Sequence, residues 1–119
     1  MVFFFCAHQR IFLFIYLRTL RNKSKERRML HGEIEVLLEV GQSYLLNKEY
    51  EKAIMQFSAA LKINPHDPEV YYYLGLANEG AGKLAEAVDM YDKTLTLDRG
   101  FSNAEIRRDE LRTKLCKPK

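Results

Sequence analysis

Apolar residues in the middle of the chain recur at spacings of three and four, the period of one face of an α-helix. One such stripe contains Leu37, Val40, Gly41 and Tyr44. After the polar stretch Asn47-Lys48-Glu49, a second stripe follows the same period: Ala53, Ile54, Phe57, Ala60 and Leu61. The positions between are mostly polar, so each segment is predicted to form an amphipathic helix with one buried face.

Both stripes occur twice along the chain, because residues 34–67 align with residues 68–101. The pairs keep their size or polarity: Val40-Gly41 with Leu74-Gly75, Ala53 with Ala87, Ile54 with Val88, Phe57 with Tyr91, Leu61 with Leu95, and Ile63-Asn64 with Leu97-Asp98. An internal repeat of this length indicates stacked helix pairs that share a continuous core. The alternative is two independent amphipathic hairpins whose 34-residue offset has no structural meaning.

The period and pattern resemble the tetratricopeptide repeat (TPR) family. The first repeat fits the family signature at Leu37, Val40, Gly41, Tyr44, Ala53, Phe57, Ala60 and Pro65, and the second at Tyr71, Leu74, Gly75, Ala87 and Tyr91. The second repeat departs at Asn78, Thr94 and Arg99, where Tyr, Ala and Pro are usual. The resemblance covers residues 34–101 and extends loosely to 116. It implies an all-α fold of antiparallel helix pairs, with two repeats and a C-terminal capping helix.

Gly41 and Gly75 lie inside the helical patterns, where Gly costs ~1 kcal/mol relative to Ala. We expect close approach of the paired helix to offset this cost, with Ala53 or Ala87 facing the glycine.

Turn and cap signals separate the predicted helices. Asp67 is the predicted N-cap of the third helix, with Pro68 as its first residue. Gly80-Ala81-Gly82-Lys83 predicts the next turn. The capping-box sequence Ser102-Asn103-Ala104-Glu105 predicts a fifth helix over residues 102–116. This helix should cover the last apolar face of the stack, with three residues on its inner side: Ala104, Leu111 and Leu115.

Residues 1–28 form an apolar and then basic segment in front of a TPR domain over residues 29–119. Residues 2–17 are apolar apart from His8-Gln9-Arg10, and a basic run follows from Arg18 to Arg28. Four interpretations remain open: a membrane anchor within residues 2–20 that leaves the repeats in the cytoplasm, a cleaved signal peptide, a spurious extension before a true start at Met29, and an amphipathic surface helix.

The net charge of +3 conceals a strong asymmetry, because residues 1–28 carry +6 and the remainder carries −3. The basic character therefore belongs to the N-terminal segment. The repeats have no evident basic face, so we expect no nucleic-acid partner.

The sequence contains no pattern that indicates catalysis. The three histidines (His8, His31 and His66) have no second ligand at metal spacing. No Ser or Cys has a plausible base partner, and the two cysteines, Cys6 and Cys116, are expected to be reduced thiols. We therefore expect neither enzyme activity nor a cofactor.

The resemblance implies a concave groove, lined by the first helix of each pair, that binds a peptide or helix of a partner protein. Its positions are Glu35, Leu38, Glu39, Gln42 and Leu45 in the first repeat, and Glu69, Tyr72, Tyr73, Leu76 and Glu79 in the second. Apolar and aromatic residues with acidic edges favour a partner that has apolar anchors and basic flanks. Tyr72 is the first candidate anchor, since Tyr is enriched at binding hot spots.

One subset of the family binds the C-terminal carboxylate of chaperones through Lys and Asn of the first helix. The matching positions here are Leu38 and Gln42. Leu cannot donate a hydrogen bond to a carboxylate, so this binding mode is not expected. Two other functions stay open. The chain could be a self-assembling structural module, because two repeats are few for a stable array. It could also be a membrane-tethered adaptor whose basic stretch contacts anionic lipid.

Overall fold

The computed structural model describes residues 2–117, with side chains from residue 9 onwards. Its five helices are α1 (Val2–Leu46), α2 (Tyr50–Ile63), α3 (Pro68–Gly80), α4 (Leu84–Leu97) and α5 (Ser102–Leu115). Strands are absent from the described part of the chain, and the predicted all-α class is confirmed. The chain divides into two compact units, Met1–Gly32 and Glu33–Lys119.

The larger unit is a stack of consecutive helices. α2 packs on α3, α3 on α4, and α4 on α5. The connections are a few residues long, which places neighbouring helices antiparallel. The first core cluster draws on α1, α2 and α3, and it contains Ile34, Ala53, Phe57, Ala60, Val70, Leu74 and Ala77. The two hairpins therefore share one core, and the alternative of independent hairpins is wrong.

The two signature glycines lie where a helix meets an aromatic ring. A Cβ added to Gly41 would lie 2.5 Å from Cε1 of Phe57, and one added to Gly75 would lie 2.5 Å from Cε1 of Tyr91. The expected close approach of paired helices is present at both places. The facing residue is an aromatic ring, however, and not Ala53 or Ala87 as the sequence suggested.

The N-terminal segment and the first repeat helix are continuous, although the sequence analysis treated residues 1–28 as a separate element. The helix α1 runs from Val2 to Leu46, because the residues around position 28 have good helix propensity and Gly32 alone does not end a helix. None of the described helices is long and apolar enough to cross a membrane. A spanning anchor within residues 2–20 is therefore not supported. The side chains of Cys6 and His8 lie outside the described residues.

The cap of α3 agrees with the sequence, and that of α5 does not. The carboxylate of Asp67 accepts hydrogen bonds from the amides of Glu69 (3.0 Å) and Val70 (3.4 Å). In α5 the N-cap residue is Phe101, with no side-chain capping bond. Ser102 is already helical, so it cannot cap in the way that the predicted capping box requires.

The C-terminal end of α5 agrees with the prediction to within one residue, but its inner face does not. The helix ends at Leu115, with Cys116 as its C-cap. Ala104 and Leu111 are buried as expected, whereas Leu115 is 49% exposed. The inner face of α5 is therefore shorter than predicted.

Two departures from the family signature are polar residues whose hydrogen-bonding groups are satisfied inside their own helix. Asn78 donates through Nδ2 to the carbonyl of Leu74 at 2.9 Å, and Thr94 donates through Oγ1 to the carbonyl of Met90 at 3.0 Å. Both side chains are buried. Because a buried polar group costs little when it is hydrogen-bonded, these substitutions are compatible with the stack.

Gly75→Ala tests the helix–ring contact. The added methyl group would overlap the buried ring of Tyr91, so we expect the free energy of unfolding to fall by about 1–3 kcal/mol. Gly32→Ala is the matched control, because Gly32 is also helical and has no atom within 4 Å of an added Cβ. This variant should be neutral or more stable by up to ~1 kcal/mol. Urea denaturation followed by circular dichroism measures both, and equal stability of the two variants would contradict the role of the contact.

Candidate functional site

A concave pocket of about 360 Å³ lies between α3 and α5. It is lined by Tyr72 from α3 and by four residues of α5: Asn103, Ile106, Arg107 and Glu110. The pocket therefore combines an aromatic ring, an exposed aliphatic side chain, an amide and charges of both signs. Polar groups that converge beside an aromatic ring can fix the orientation of a ligand.

The pocket residues of α5 continue the 34-residue repeat. Asn103, Ile106, Arg107 and Glu110 each follow, by 34 residues, one of the predicted groove positions Glu69, Tyr72, Tyr73 and Leu76. From the sequence, α5 is predicted only to be a cap, and these four residues are not among the predicted groove positions. The repeat offset, extended by one more unit, was the signal that could have found them.

Tyr72 lies at the centre of an aromatic cluster beside the pocket. Its ring centroid is 4.9 Å from that of Phe101, 5.8 Å from that of Tyr73 and 5.9 Å from that of Tyr91. The side chain is half-buried, so one part of the ring packs in the stack while another part faces the pocket. Such a ring is held in one orientation before any ligand arrives, which lowers the entropic cost of binding.

Tyr73 joins the first repeat to the second. Its ring stacks on Phe57 with centroids 5.6 Å apart and an interplanar angle of 18°, and its hydroxyl lies beside the side chain of Gln42. Burial, reinforced by the carboxylate of Glu69, raises the pKa of Tyr73. Gln42 and Tyr73, two of the predicted site residues, are thus brought into contact with each other.

Three other predicted site residues are partly used by the core. Leu38 and Leu45 pack against the first core cluster, and Leu76 packs against a second cluster formed by α4 and α5. All three side chains are half-buried. They can offer part of their surface to a ligand, but they also support the helices that carry them.

Glu79 is the centre of a partly buried network of hydrogen bonds that joins α3, α4 and α5. Its carboxylate accepts a 2.8 Å hydrogen bond from the hydroxyl of Tyr91 and bonds of 3.2 and 3.3 Å from Nη1 of Arg107. Burial, followed by the bond to Glu79, raises the pKa of Tyr91. For Arg107, the charge of Glu79 and the nearby Tyr91 outweigh burial, so its pKa is also raised. Glu79 therefore compensates the charge of Arg107 inside the site.

The remaining groove acids are at the surface. Glu39, Glu69 and Glu110 are exposed, and they lie on α1, α3 and α5, the first helices of successive repeat units. Among the side chains that the structure describes, those of residues 9–117, no group of three or more His, Cys, Asp or Glu residues could hold a metal ion. The site thus offers surfaces for packing and hydrogen bonding.

Stacked antiparallel helix pairs of 34 residues, with a concave pocket on the first helices, define an α-helical repeat protein. Two family profiles match the chain: one described as TPR repeat over residues 41–82 and one described as tetratricopeptide repeat over residues 69–98. The chain belongs to the tetratricopeptide repeat family.

Several larger proteins are similar to this chain over the repeats. The peroxisomal targeting signal receptor of Kluyveromyces lactis is 34% identical over 70 residues, which cover 59% of this chain and 12% of the receptor. The receptor of the same name from Candida glabrata is 30% identical over 86 residues, covering 72% and 15%. U-box domain-containing protein 70 of Oryza sativa subsp. japonica is 31% identical over 68 residues, covering 57% and 8%. The matches thus span less than one sixth of each relative.

Among solved structures, the chain is similar to the first TPR of Spaghetti (RPAP3), which is bound to the HSP90 peptide SRMEEVD. The TM-score is 0.69 and the sequence identity is 25%. The likeness covers 71% of this chain and 68% of the other. The stacked-repeat fold therefore agrees with an established member of the family.

The raised pKa of Tyr91 predicts a pH dependence of stability. An ordinary Tyr has a pKa of about 10, so above that pH the unfolded chain loses a proton that the folded chain retains. The resulting stabilisation is fully present below about pH 10 and is lost as the pH rises further. We expect the free energy of unfolding to fall more steeply above about pH 10 in the wild type than in Tyr91→Phe.

Urea denaturation of both proteins at a series of pH values measures this difference. The other tyrosines and the lysines titrate in both proteins, so the comparison isolates Tyr91. At neutral pH, Tyr91→Phe should be less stable by about 1 kcal/mol, because the hydrogen bond to Glu79 is lost. Parallel curves above pH 10 would contradict a raised pKa at this residue.

Proposed function

We propose that the chain is a protein-interaction module that binds a peptide or short helix of a partner in the groove formed by α1, α3 and α5, and that it acts as an adaptor or scaffold. The observation that carries this proposal is the pocket at Tyr72. Its α5 residues lie in the same repeat register as the predicted groove positions of α3. A surface repeated on the first helices of successive repeat units suits an extended or helical ligand.

The similar proteins support a peptide ligand. The first TPR of Spaghetti is bound to an HSP90 peptide, and two of the relatives are named as receptors of a targeting signal. Because the matches span only 12% and 15% of those receptors, their particular ligand is not carried over to this chain. What is carried over is the class of partner, namely a short segment of another protein.

The pocket favours a ligand with an apolar anchor beside a basic residue. Ile106 is 56% exposed next to the ring of Tyr72, so both can pack against an aliphatic or aromatic side chain. Glu110 and Glu69 provide negative charge at the edges, and Glu79 already compensates Arg107. A Lys or Arg that flanks the anchor would therefore meet complementary charge.

Self-assembly through the groove remains an alternative prediction. Leu38 and Leu45, which would be buried in such a contact, are already half-buried within their own chain. The apolar surface that they leave for a second copy is therefore reduced. A peptide needs less apolar surface than a second copy, so the remaining area favours a peptide ligand. A mass that does not change with concentration would agree with the peptide-binding proposal.

Ile106→Lys tests the pocket. Peptides selected against the wild-type chain from a phage-displayed random library serve as probes, and their affinities are measured by isothermal titration calorimetry. A Lys at the pocket removes an apolar contact and places a positive charge beside Arg107. We expect the Kd to rise about tenfold or more, as for a binding hot spot.

Met55→Lys is the matched control. Met55 is an exposed apolar residue of α2, 68% exposed and outside the pocket. This variant should bind the same peptides with unchanged affinity, and circular dichroism should show both variants to be helical. Peptides that lose affinity for Met55→Lys and keep it for Ile106→Lys would place the binding site elsewhere.

A second test concerns the carboxylate-binding mode. We expect SRMEEVD to bind the wild-type chain weakly, because Leu38 occupies the position of a Lys donor. Leu38→Lys should lower the Kd of this peptide about fivefold, since a partly exposed charged pair contributes up to about 1 kcal/mol. The same peptide with a C-terminal amide has no terminal carboxylate, so Leu38→Lys should increase its affinity less. Tight binding of SRMEEVD by the wild type would show that this groove recognises the carboxylate without a Lys at position 38.

A further inference from the structure

The unit Met1–Gly32 exposes a continuous run of large apolar side chains. Every residue of Ile11–Leu17 is apolar or aromatic, and the exposed fractions of these side chains range from 52% to 75%. Globular proteins rarely leave a contiguous apolar surface of this kind in water, and such surfaces commonly mark an interaction site.

The run is apolar on all sides of the helix. Seven consecutive residues make almost two full turns, at 3.6 residues per turn, so no side of this segment is polar. A second helix packs against only one face of its partner and would leave the opposite side in water. An environment that surrounds the segment fits better, and a helix that is apolar all round is typical of burial in protein or lipid.

Six basic residues follow the run: Arg18, Arg21, Lys23, Lys25, Arg27 and Arg28. Four of them, at positions 18, 21, 25 and 28, have the 3-4-3 spacing of one helical face. All six are exposed, and none of them forms an ion pair with another residue in the described part of the chain. Glu26 is the one acid among them, so this surface is strongly cationic.

We propose that this segment attaches the protein to the surface of a bilayer that contains anionic lipid. The apolar run of seven residues is about 10 Å long at 1.5 Å per residue, too short to span a bilayer, and it suits a helix that lies in the boundary between headgroups and acyl chains. The basic residues then contact the anionic headgroups. Arg10 and Arg18 border the run, and their long side chains reach the headgroup layer while their stems remain in apolar surroundings.

The apolar run and the basic residues together favour anionic lipid over other binding partners. A nucleic acid would satisfy the basic residues but would leave Ile11–Leu17 in water. A second copy would cover one face of the apolar run but would leave the opposite face in water, and it would not compensate the basic residues. Anionic lipid satisfies both features at once. This attachment is independent of the groove, and either proposal can fail without the other.

Vesicle flotation of the full chain tests the proposal. The probes are vesicles of phosphatidylcholine alone and of phosphatidylcholine with phosphatidylserine. We expect the protein to float with the anionic vesicles, and the floating fraction to decrease as salt is added because the headgroup contacts are screened. Flotation that does not depend on phosphatidylserine, or no flotation at all, would overturn the proposal.

Two pairs of variants separate the contribution of the apolar run to membrane binding from that of the basic residues. Phe12→Glu/Phe14→Glu should abolish flotation, whereas Met55→Glu/Leu97→Glu, which changes exposed apolar residues of the repeats, should float as the wild type does. Arg21→Glu/Lys25→Glu should weaken binding to anionic vesicles at least about tenfold, since each basic residue contributes about fivefold. The control Lys62→Glu/Arg99→Glu changes the net charge equally and should have little effect.

Two further outcomes would overturn the proposal in favour of another occupant. If Phe12→Glu/Phe14→Glu floats normally and the wild type binds duplex DNA with the same salt dependence, the basic surface serves nucleic acid. If sedimentation shows a wild-type dimer that Phe12→Glu/Phe14→Glu converts to monomer, and the wild type does not float, the apolar run serves a second copy.

Discussion

The contact between a helical glycine and an aromatic ring sets the geometry of the whole stack. In each repeat the missing side chain of the glycine lets the ring of the second helix lie directly on the backbone of the first. The pairs Gly41–Phe57 and Gly75–Tyr91 have the same spacing in sequence and nearly the same distances. Because interiors are close-packed, a helix spacing fixed at these two places also fixes where the neighbouring side chains can lie.

Tyr91 extends this constraint from the core to the pocket. Its ring lies against Gly75 and its hydroxyl donates to Glu79, which in turn accepts from Arg107 on α5. Two further arginines of α5, Arg108 and Arg112, contact Asp92 of α4. The last helix is therefore held by hydrogen bonds and ion pairs as well as by apolar packing. Its position decides whether the pocket beside Tyr72 exists at all.

The periodicity of the sequence predicted the helix pairs, the 34-residue stacking and the turn at Asp67-Pro68, because each depends on local patterns of apolar residues and caps. It could not predict that Gly41 and Gly75 face rings, since that depends on the rotation of one helix against another. The capping box at Ser102 failed for a similar reason, because the helix starts one residue earlier than the local signal suggested. The continuity of α1 was missed because the change in composition near residue 28 is not a helix-ending signal.

The same limit explains what could be predicted of the candidate site. Helical register predicts that Leu38, Tyr73 and Glu79 lie on the groove side, but it does not reveal how much of each side chain already packs within the protein. Leu38 packs against the core, Tyr73 stacks on Phe57, and Glu79 is bound to Tyr91 and Arg107. By contrast, Ile106 and Glu110 on α5 are exposed.

If the groove binds a peptide as we propose, α1 and α3 chiefly provide a rigid wall, and α5 provides the side chains that are free to change partners. Discrimination between ligands then depends on α5, because a group that is already hydrogen-bonded within the protein gains little from a new partner. The helix that the sequence marked as a cap would in this way be the part of the groove that selects the ligand.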